Sequence, residues 1–352
     1  SSTGPRGITF PPGDTATGPR SQEKSSHLTS RRKRTMEFVQ VTNGDVSLNV
    51  AVKGTGPVIL CVHGWPELWY SWRHQIAYFS DRGFRVAAMD VRGYGGSTKP
   101  HPIEAFSMRN ICSDVAAVAK ALSPDPVILF GHDWGAPIVW QTTLWHSEQV
   151  RAVAGLSVPY FPIGEGAFVE QMKFLYQDKF FYQIYFQTEG VAEAEIEADL
   201  PSALRKIYFS LSGDAPLNDW LKDKPADAGL LSGMIDPQPF PSWMSEDDLQ
   251  VYVDAFKAGG LRGPINRYRA QGIDAEESGP IRGRQIEQPA CFIAGSKDIC
   301  RSFVSGMDLY QNVDGGCDDF RGATIIDDIG HWVQQEAPEE TNEALAVFVD
   351  GL

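Results

Sequence analysis

The sequence predicts an α/β protein in which a mostly parallel, doubly wound sheet is interrupted by an inserted helical domain. Three observations lead to this prediction. Short β-branched and apolar runs alternate with helical patterns from about residue 58 onward, as is typical of parallel strands joined by helices on both faces of a sheet. Between about residues 162 and 285 only helical periodicity is found. The alternation resumes near residue 290, so the insertion falls within the strand order of one sheet.

The predicted elements follow in chain order. Strands are predicted at residues 58–62, 84–89, 126–130, 152–156, 290–294 and 323–326. Helices between them are predicted at residues 68–79, 108–122, 134–146 and 339–349. Inside the insertion, helices are predicted at residues 169–176, 192–200, 203–211 and 247–256. This divides the chain into a first core part at residues 37–161, a helical cap at residues 162–285 and a second core part at residues 286–352.

Residues 1–36 differ in composition from the rest of the chain. Twenty of the 36 are Ser, Thr, Gly or Pro, and such a segment cannot bury enough apolar area to offset its ordering entropy. Seven basic and two acidic residues give this segment a net charge of +5. Because the whole chain carries −14, residues 37–352 carry −19. We interpret it as a flexible basic leader, either a targeting segment or a cloning remnant.

Charge, hydropathy and cysteine usage exclude several classes of protein. An overall charge of −14 repels nucleic acid, so no nucleic-acid partner is expected. No apolar run approaches the ~18 residues that cross a bilayer, so no membrane span is expected. Five scattered cysteines without a CxxC pair predict reduced thiols rather than disulfides or a zinc site. We expect a cytoplasmic location, and homodimerisation is left open.

A short motif, Gly-His-Asp-Trp-Gly at residues 131–135, lies between a predicted strand and a predicted helix. A turn this sharp strains its central residue and requires small residues two positions to either side, which Gly131 and Gly135 supply. The central residue is Asp133, where serine is usual. A carboxylate is ionised at neutral pH and can attack a saturated carbon without a base, forming an ester. Capping of the following helix is the structural alternative for Asp133.

An ester of this kind needs a base for its hydrolysis, and in this topology the acid and the histidine follow the nucleophile along the chain. Of the seven histidines, only His331 follows a late strand. Asp298, just after the predicted strand at residues 290–294, is the candidate acid. Asp327 and Asp328 are nearer to the histidine in sequence, but their side chains would have to fold back to reach its ring.

Negative charge that develops on the carbonyl oxygen of the ester needs hydrogen-bond donors. Two backbone N–H groups are expected to supply them, one just after the nucleophile and one from the loop after the strand at residues 58–62. Trp134 and Trp65 occupy these positions, and Pro66 can fix an unusual peptide geometry that aims the N–H of Trp65 inward. Core packing of the two indoles is compatible with this role, because the role uses the backbone.

Five motifs occur in order along the chain. Three lie in the predicted core: HGWPE at residues 63–67, DVRGYGGS at residues 90–97 and GHDWG at residues 131–135. Two lie in the insertion: YQIYFQ at residues 182–187 and RGPINRYR at residues 262–269. Together they resemble the α/β-hydrolase-fold epoxide hydrolases of the soluble type, and the resemblance covers about residues 37–352. It implies an α/β-hydrolase fold with an inserted helical cap domain.

The resemblance implies a role for each matching residue. Asp133 would be the nucleophile, and Asp298 and His331 would activate water. Tyr182 and Tyr268 would donate protons to the oxygen of the opening ring. The chemistry agrees, because ring opening generates an alkoxide and a tyrosine with a pKa of about 10 stays protonated until it donates.

Two alternatives concern the tyrosines. Tyr185 competes with Tyr182 because it lies three residues away on the same predicted helix. Aromatic packing is the other alternative, because 8 of the 21 residues from 166 to 186 are aromatic. The pattern of the resembled family favours Tyr182.

The expected reaction is hydrolysis of an epoxide to a vicinal diol, with neither a metal ion nor an organic cofactor. The aromatic cap suggests a small hydrophobic epoxide, and the side chains expected to contact it are Trp65, Trp134, Phe186 and Trp332. One rival function is a dehalogenase of the same fold. A departing halide is a stable anion that needs no proton, so the paired tyrosines would have no role in that reaction. The other rival is a ligand sensor without turnover, against which the intact set of Asp, Asp and His argues.

Overall fold

The computed structural model describes residues 35–217, 219–220 and 223–352, so the predicted leader lies outside the described residues except at its last two positions. The strands are β1 (Glu37–Asn43), β2 (Val46–Gly54), β3 (Val58–Val62), β4 (Arg85–Met89), β5 (Val127–His132), β6 (Val150–Leu156), β7 (Ala290–Gly295) and β8 (Phe320–Ile326). Across the described residues these eight strands form one sheet in the order β1-β2-β4-β3-β5-β6-β7-β8. Strand β2 is antiparallel to β1 and β4, and the other neighbouring pairs are parallel. The predicted fold class is confirmed.

The helices alternate with the strands and also fill the insertion. In chain order they are α1 (Arg73–Asp81), α2 (Met108–Leu122), α3 (Gly135–Trp145), α4 (Phe168–Tyr176), α5 (Tyr182–Tyr185), α6 (Val191–Ala198), α7 (Leu200–Leu211), α8 (Glu246–Gly259), α9 (Arg262–Arg269), α10 (Gln271–Glu277), α11 (Val333–Glu336) and α12 (Pro338–Asp350). Helices α4 to α10 all lie between β6 and β7, which is where the strand alternation of the sequence stops.

Helices cover both faces of the sheet because successive residues of the inner strands point to opposite sides. In β3, Leu60 and Val62 enter one apolar core together with α2 and α3. Ile59 and Cys61 enter a second core together with α1 and α12. Strands buried on both faces are therefore continuous apolar runs, which made them recognisable in the sequence.

Strands β1 and β2 are absent from the predicted elements. They form an antiparallel hairpin at one edge of the sheet, and most residues of β1 are exposed or half-buried. An edge strand of this kind alternates polar and apolar residues instead of forming an apolar run. The strands were predicted from apolar runs, and such a strand has none.

The described part of the chain contains no helix that is both long enough and apolar enough to cross a membrane. The five cysteines are free thiols, and four of them are buried. The prediction of unpaired cysteines is confirmed.

Candidate active site

Asp133 lies at the sharp turn between β5 and α3. Its backbone φ of 52° is in the left-handed region that non-glycine residues rarely adopt. A Cβ at Gly131 would lie 2.2 Å from the carbonyl oxygen of Gly135, and a Cβ at Gly135 would lie 2.0 Å from that of Val62. Both glycines are therefore required by close backbone contacts, as the motif predicts.

The carboxylate of Asp133 is held from two sides. Its Oδ1 accepts a hydrogen bond from the backbone N–H of Trp65 at 2.7 Å, and its Oδ2 lies 3.1 Å from His331 Nε2. The Trp65–Pro66 peptide bond is cis. Trp134, the second predicted donor, follows Asp133 directly and caps α3, where backbone N–H groups have no partner within the helix.

His331 and Asp298 form a buried pair. Asp298 Oδ1 lies 3.0 Å from His331 Nδ1, and the backbone N–H of Cys300 donates to the same oxygen at 2.9 Å. Asp327 and Asp328, the nearer candidates in sequence, are exposed and have no such contact. Asp298, the candidate acid, is thus the aspartate that contacts the histidine ring through Nδ1.

The surroundings of this pair favour a protonated His331 and an ionised Asp298. Burial alone would lower the pKa of His331, but the carboxylates of Asp298 and Asp133 raise it well above its ordinary value. Burial acts to raise the pKa of Asp298, and the charge of His331 and its hydrogen bonds outweigh this and hold the pKa below its usual range. Both ring nitrogens of His331 thus face carboxylate oxygens, and this arrangement favours the protonated ring.

A set of side chains that the sequence reasoning missed holds the histidine loop. The carbonyl oxygen of His331 accepts hydrogen bonds from His132 Nε2 at 2.7 Å and Ser157 Oγ at 2.9 Å. Glu336, half-buried in α11, accepts backbone N–H bonds from Gly330 at 3.0 Å and Trp332 at 2.9 Å. A glutamate five residues after the histidine carries no recognisable motif, so only the folded geometry exposes its role.

The two predicted tyrosines come from separate cap helices and meet above Asp133. Tyr182 lies in α5 and Tyr268 in α9, and their ring centroids are 5.7 Å apart. Both line a narrow gap of about 10 Å³ with Asp133 and His331. Burial raises the pKa of both hydroxyls well above the ordinary value, so both stay protonated.

Tyr185 lies apart from the site. Its hydroxyl donates to Glu195 Oε2 at 2.6 Å, and it lines neither the narrow gap nor the larger cavity beside it. The choice of Tyr182 over Tyr185 thus agrees with the geometry.

A larger cavity of about 250 Å³ opens from Asp133 and Tyr182. Its walls are mainly apolar and aromatic, and they include Trp134, Pro137, Val158, Pro159, Phe161, Phe168, Phe303 and Leu309. Trp65 lines the narrow gap instead. Phe186 and Trp332, two of the four predicted substrate contacts, line neither space: Phe186 packs behind the tyrosine rings, and Trp332 packs against His331.

Two other features of the described residues adjoin this site. A space of about 520 Å³ borders Asp298 from the other side, but neither Asp133 nor a tyrosine lines it. Asp298, Cys300 and His331 place ligand atoms within 4.8 Å of one another, a spacing that a metal ion could use. The facing oxygen and nitrogen of Asp298 and His331 already bond to each other.

Comparison with known proteins fits this geometry. Residues 57–338 match the protein family described as alpha/beta hydrolase fold, which is the class that the sheet and the Asp133 turn define. Epoxide hydrolase A of Mycobacterium tuberculosis is 35% identical over 314 residues, covering 88% of this chain and 96% of that protein. The chain belongs to the epoxide hydrolases of the α/β-hydrolase fold.

Solved structures agree. An epoxide hydrolase from an endophytic Streptomyces has a TM-score of 0.84 at 38% identity, with 90% of this chain and 95% of that chain covered. Epoxide hydrolase A from Mycobacterium thermoresistibile also has a TM-score of 0.84, at 35% identity, with 90% and 99% covered. The similarity therefore extends over both the sheet and the helices inserted between β6 and β7.

Proposed function

We propose that this protein hydrolyses a hydrophobic epoxide to a vicinal diol through a covalent ester on Asp133. The observation that carries the proposal is the placement of Tyr182 and Tyr268 across a narrow gap from Asp133 and His331. The gap thus pairs a carboxylate nucleophile with two proton donors. An epoxide needs both, because its carbon is attacked while its oxygen becomes an alkoxide.

In the first step, Asp133 Oδ2 attacks a ring carbon and the carbon–oxygen bond of the epoxide breaks. The oxygen that leaves the carbon takes a proton from Tyr182 or Tyr268, so no free alkoxide is released. Oδ1 keeps its hydrogen bond to the N–H of Trp65 and becomes the carbonyl oxygen of the ester. No base is required in this step, because the carboxylate is already ionised.

Esterification prepares the histidine for the second step. The ester no longer carries the ionised carboxylate of Asp133, whose hydrogen bond with His331 is one of the contacts that raise the pKa of the histidine. His331 can then give its proton to the tyrosinate that ring opening leaves across the same gap, and act as a base, with Asp298 orienting the ring through Nδ1. Water loses a proton to Nε2 and attacks the ester carbon, while the N–H groups of Trp65 and Trp134 hold the oxyanion. Collapse of this intermediate breaks the ester bond, and the departing alkoxide takes the proton from His331 and leaves as the diol. The carboxyl group of Asp133 then returns its proton to His331, which restores the free site.

The apolar walls of the 250 Å³ cavity support a hydrophobic epoxide as the substrate. The same walls would also accept a haloalkane. The paired tyrosines favour the epoxide, because a departing halide needs no proton. Diol formation from epoxides with no halide release from haloalkanes is the expected result.

Trapping of the ester tests the mechanism. His331→Gln should leave ring opening intact and stop ester hydrolysis, because the amide cannot take the proton from water. After an epoxide is added, mass spectrometry should find the peptide that contains Asp133 heavier by the mass of the epoxide. Asp133→Asn in the same background is the control and should give no adduct. An unmodified Asp133 peptide in the His331→Gln variant would contradict the mechanism.

We further propose that the protein acts in the cytoplasm. The five free cysteines support this location, because unpaired buried thiols are typical of a reducing compartment.

A further inference from the structure

Two glutamines connect the paired tyrosines by a chain of hydrogen bonds. Gln271 Nε2 donates to the backbone carbonyl of Tyr268 at 3.1 Å and to Gln183 Oε1 at 3.0 Å. Gln183 Nε2 then donates to the hydroxyl oxygen of Tyr182 at 2.9 Å. We call Gln183 and Gln271 the glutamine pair. This chain of hydrogen bonds runs from the backbone carbonyl oxygen of Tyr268 to the hydroxyl of Tyr182.

The direction of every bond in this chain follows from its first member. A backbone carbonyl can only accept, so Gln271 must present its NH2 group to Tyr268. The second hydrogen of that NH2 group meets Gln183, which must therefore turn its carbonyl oxygen toward Gln271. The NH2 group of Gln183 is left facing Tyr182, whose hydroxyl oxygen accepts. The proton of Tyr182 is consequently not used in this chain.

Burial of both glutamines stabilises this orientation of their amide groups. Gln183 and Gln271 are 6% and 5% exposed, so bulk water does not compete strongly for their amide groups. Both line the 250 Å³ cavity beside Asp133 and Tyr182. The accepting side of the Tyr182 hydroxyl is thus occupied by protein, and its proton is free for a group in the cavity.

Given the proposed ring opening by Asp133, on which this role depends, we propose that Gln183 is a positioning residue that aims the proton of Tyr182 at the epoxide oxygen. Gln271 holds the amide of Gln183 in the required orientation. After Tyr182 has given its proton to the ring oxygen, its own oxygen carries the negative charge. The N–H of Gln183 then donates to a phenolate, and hydrogen bonds to charged groups are stronger than those to neutral ones.

The role predicts a loss that is confined to ring opening. Gln183→Leu removes the donor, and the rate of ester formation should fall about 10- to 100-fold, as expected for one hydrogen bond to a charged group. Gln183→Glu should be worse than leucine, because its carboxylate accepts the proton of Tyr182 and reverses the bond. Ester hydrolysis, which uses His331 and water, should keep its rate in both variants.

Rapid quenching followed by mass spectrometry of the Asp133 peptide gives both rates. Ester formation is timed in the His331→Gln background, where the ester accumulates, and ester decay is timed with His331 present. Gln187→Leu is the matched control. Gln187 bonds the backbone carbonyls of Gln183 and Tyr268 and touches neither hydroxyl, so both rates should stay near those of the parent protein.

A dependence on Tyr182 separates positioning from a merely structural role. In a Tyr182→Phe background, Gln183→Leu should produce no further fall in the rate of ester formation, because the proton that it aims is gone. Gln183→Glu keeps the size of the native side chain and so keeps the test readable if the leucine variant folds poorly. The role is overturned if Gln183→Leu lowers both rates equally, if glutamate is no worse than leucine, or if Gln183→Leu lowers the rate as much without Tyr182 as with it. Absence of any ester in the His331→Gln parent would instead overturn the proposed function.

Discussion

The two halves of the site are built in different ways. On the sheet side, Asp133 is placed by backbone geometry: a left-handed φ of 52° and two glycines whose Cβ positions are blocked by main-chain oxygens. On the cap side, Tyr182 and Tyr268 come from different helices, and side-chain amides fix the hydroxyl of Tyr182. In the proposed mechanism, attack on carbon thus depends on a rigid turn, and protonation of oxygen depends on a network of side chains.

This difference predicts how substitutions in each half affect stability and activity. A rigid turn tolerates no added atom, so changes there should cost stability as well as activity. A side-chain network can lose one member and keep its fold, so changes there should act on one chemical step. The predictions below test this division.

Loss of the nucleophile should have the largest effect. Asp133→Ala removes the only group proposed to attack carbon, so turnover of an epoxide should fall by roughly 10⁴-fold or more. Diol formation measured by chromatography checks this. Asp327→Ala, a change at an exposed aspartate, is the control and should retain full activity. Turnover within tenfold of the parent protein in Asp133→Ala would remove Asp133 from the mechanism.

The paired tyrosines should show partial redundancy. Tyr182→Phe and Tyr268→Phe should each slow ester formation by about 10- to 100-fold, because one donor remains, and the double variant should be slower than either. Tyr185→Phe should change nothing, because its hydroxyl bonds to Glu195 outside the cavity. Rapid-quench rates check these values. If one tyrosine variant equals the double variant, only that tyrosine donates.

The turn itself should be sensitive to a single methyl group. Gly135→Ala puts a Cβ 2.0 Å from the carbonyl oxygen of Val62, and the free energy of unfolding should fall by about 3 kcal/mol or more. Urea denaturation measures it. Gly272→Ala in α10 is the control, since nothing lies within 4 Å of its Cβ position and alanine favours a helix by about 1 kcal/mol. Equal effects of the two substitutions would contradict a turn set by backbone contacts.

Glu336 joins the two halves, and its protonation should appear in the pH dependence of stability. It bonds the N–H of Gly213 from the insertion at 2.8 Å, and it also bonds the histidine loop. Burial raises its pKa to about 7, against hydrogen bonds that lower it. A raised pKa means that the folded state holds the proton longer, so stability from this group is full below pH 4.5 and is lost as the pH rises through 7.

Glu336→Gln should therefore abolish part of this pH dependence. Between pH 4.5 and 7 the parent protein should lose about 3 kcal/mol of unfolding free energy more than the variant, on an order-of-magnitude basis. Urea denaturation at pH 5 and pH 8 measures the difference. Parallel curves for the two proteins would show that Glu336 does not titrate on unfolding.

The sequence predicted the sheet side of the site more completely than the cap side. The glycines around Asp133 and the order of Asp298 and His331 follow from requirements on the backbone, and these leave fixed motifs. Tyr182 and Tyr268 could be named only through resemblance to a family, because aromatic residues crowd the cap and no spacing rule selects two of them.

Other parts of the site left no readable signal in the sequence. Gln183 and Gln271 are 88 positions apart and become partners only when α5 and α10 pack together. Phe186 and Trp332 were expected to contact the substrate, but the folded chain puts them behind the residues that line the cavity. Side-chain orientation within a packed layer is set by tertiary contacts, and residue type alone does not encode it.

Oxygen labelling tests the covalent ester most directly. A single turnover of excess enzyme with an epoxide in H2¹⁸O should place the label in the carboxylate of Asp133, because water attacks the ester carbon and the diol leaves with an oxygen of the carboxylate. Mass spectrometry of the Asp133 peptide and of the diol reads both products. We predict a labelled peptide and an unlabelled diol. A labelled diol and an unlabelled peptide would mean that water attacks the epoxide directly, and would contradict the ester.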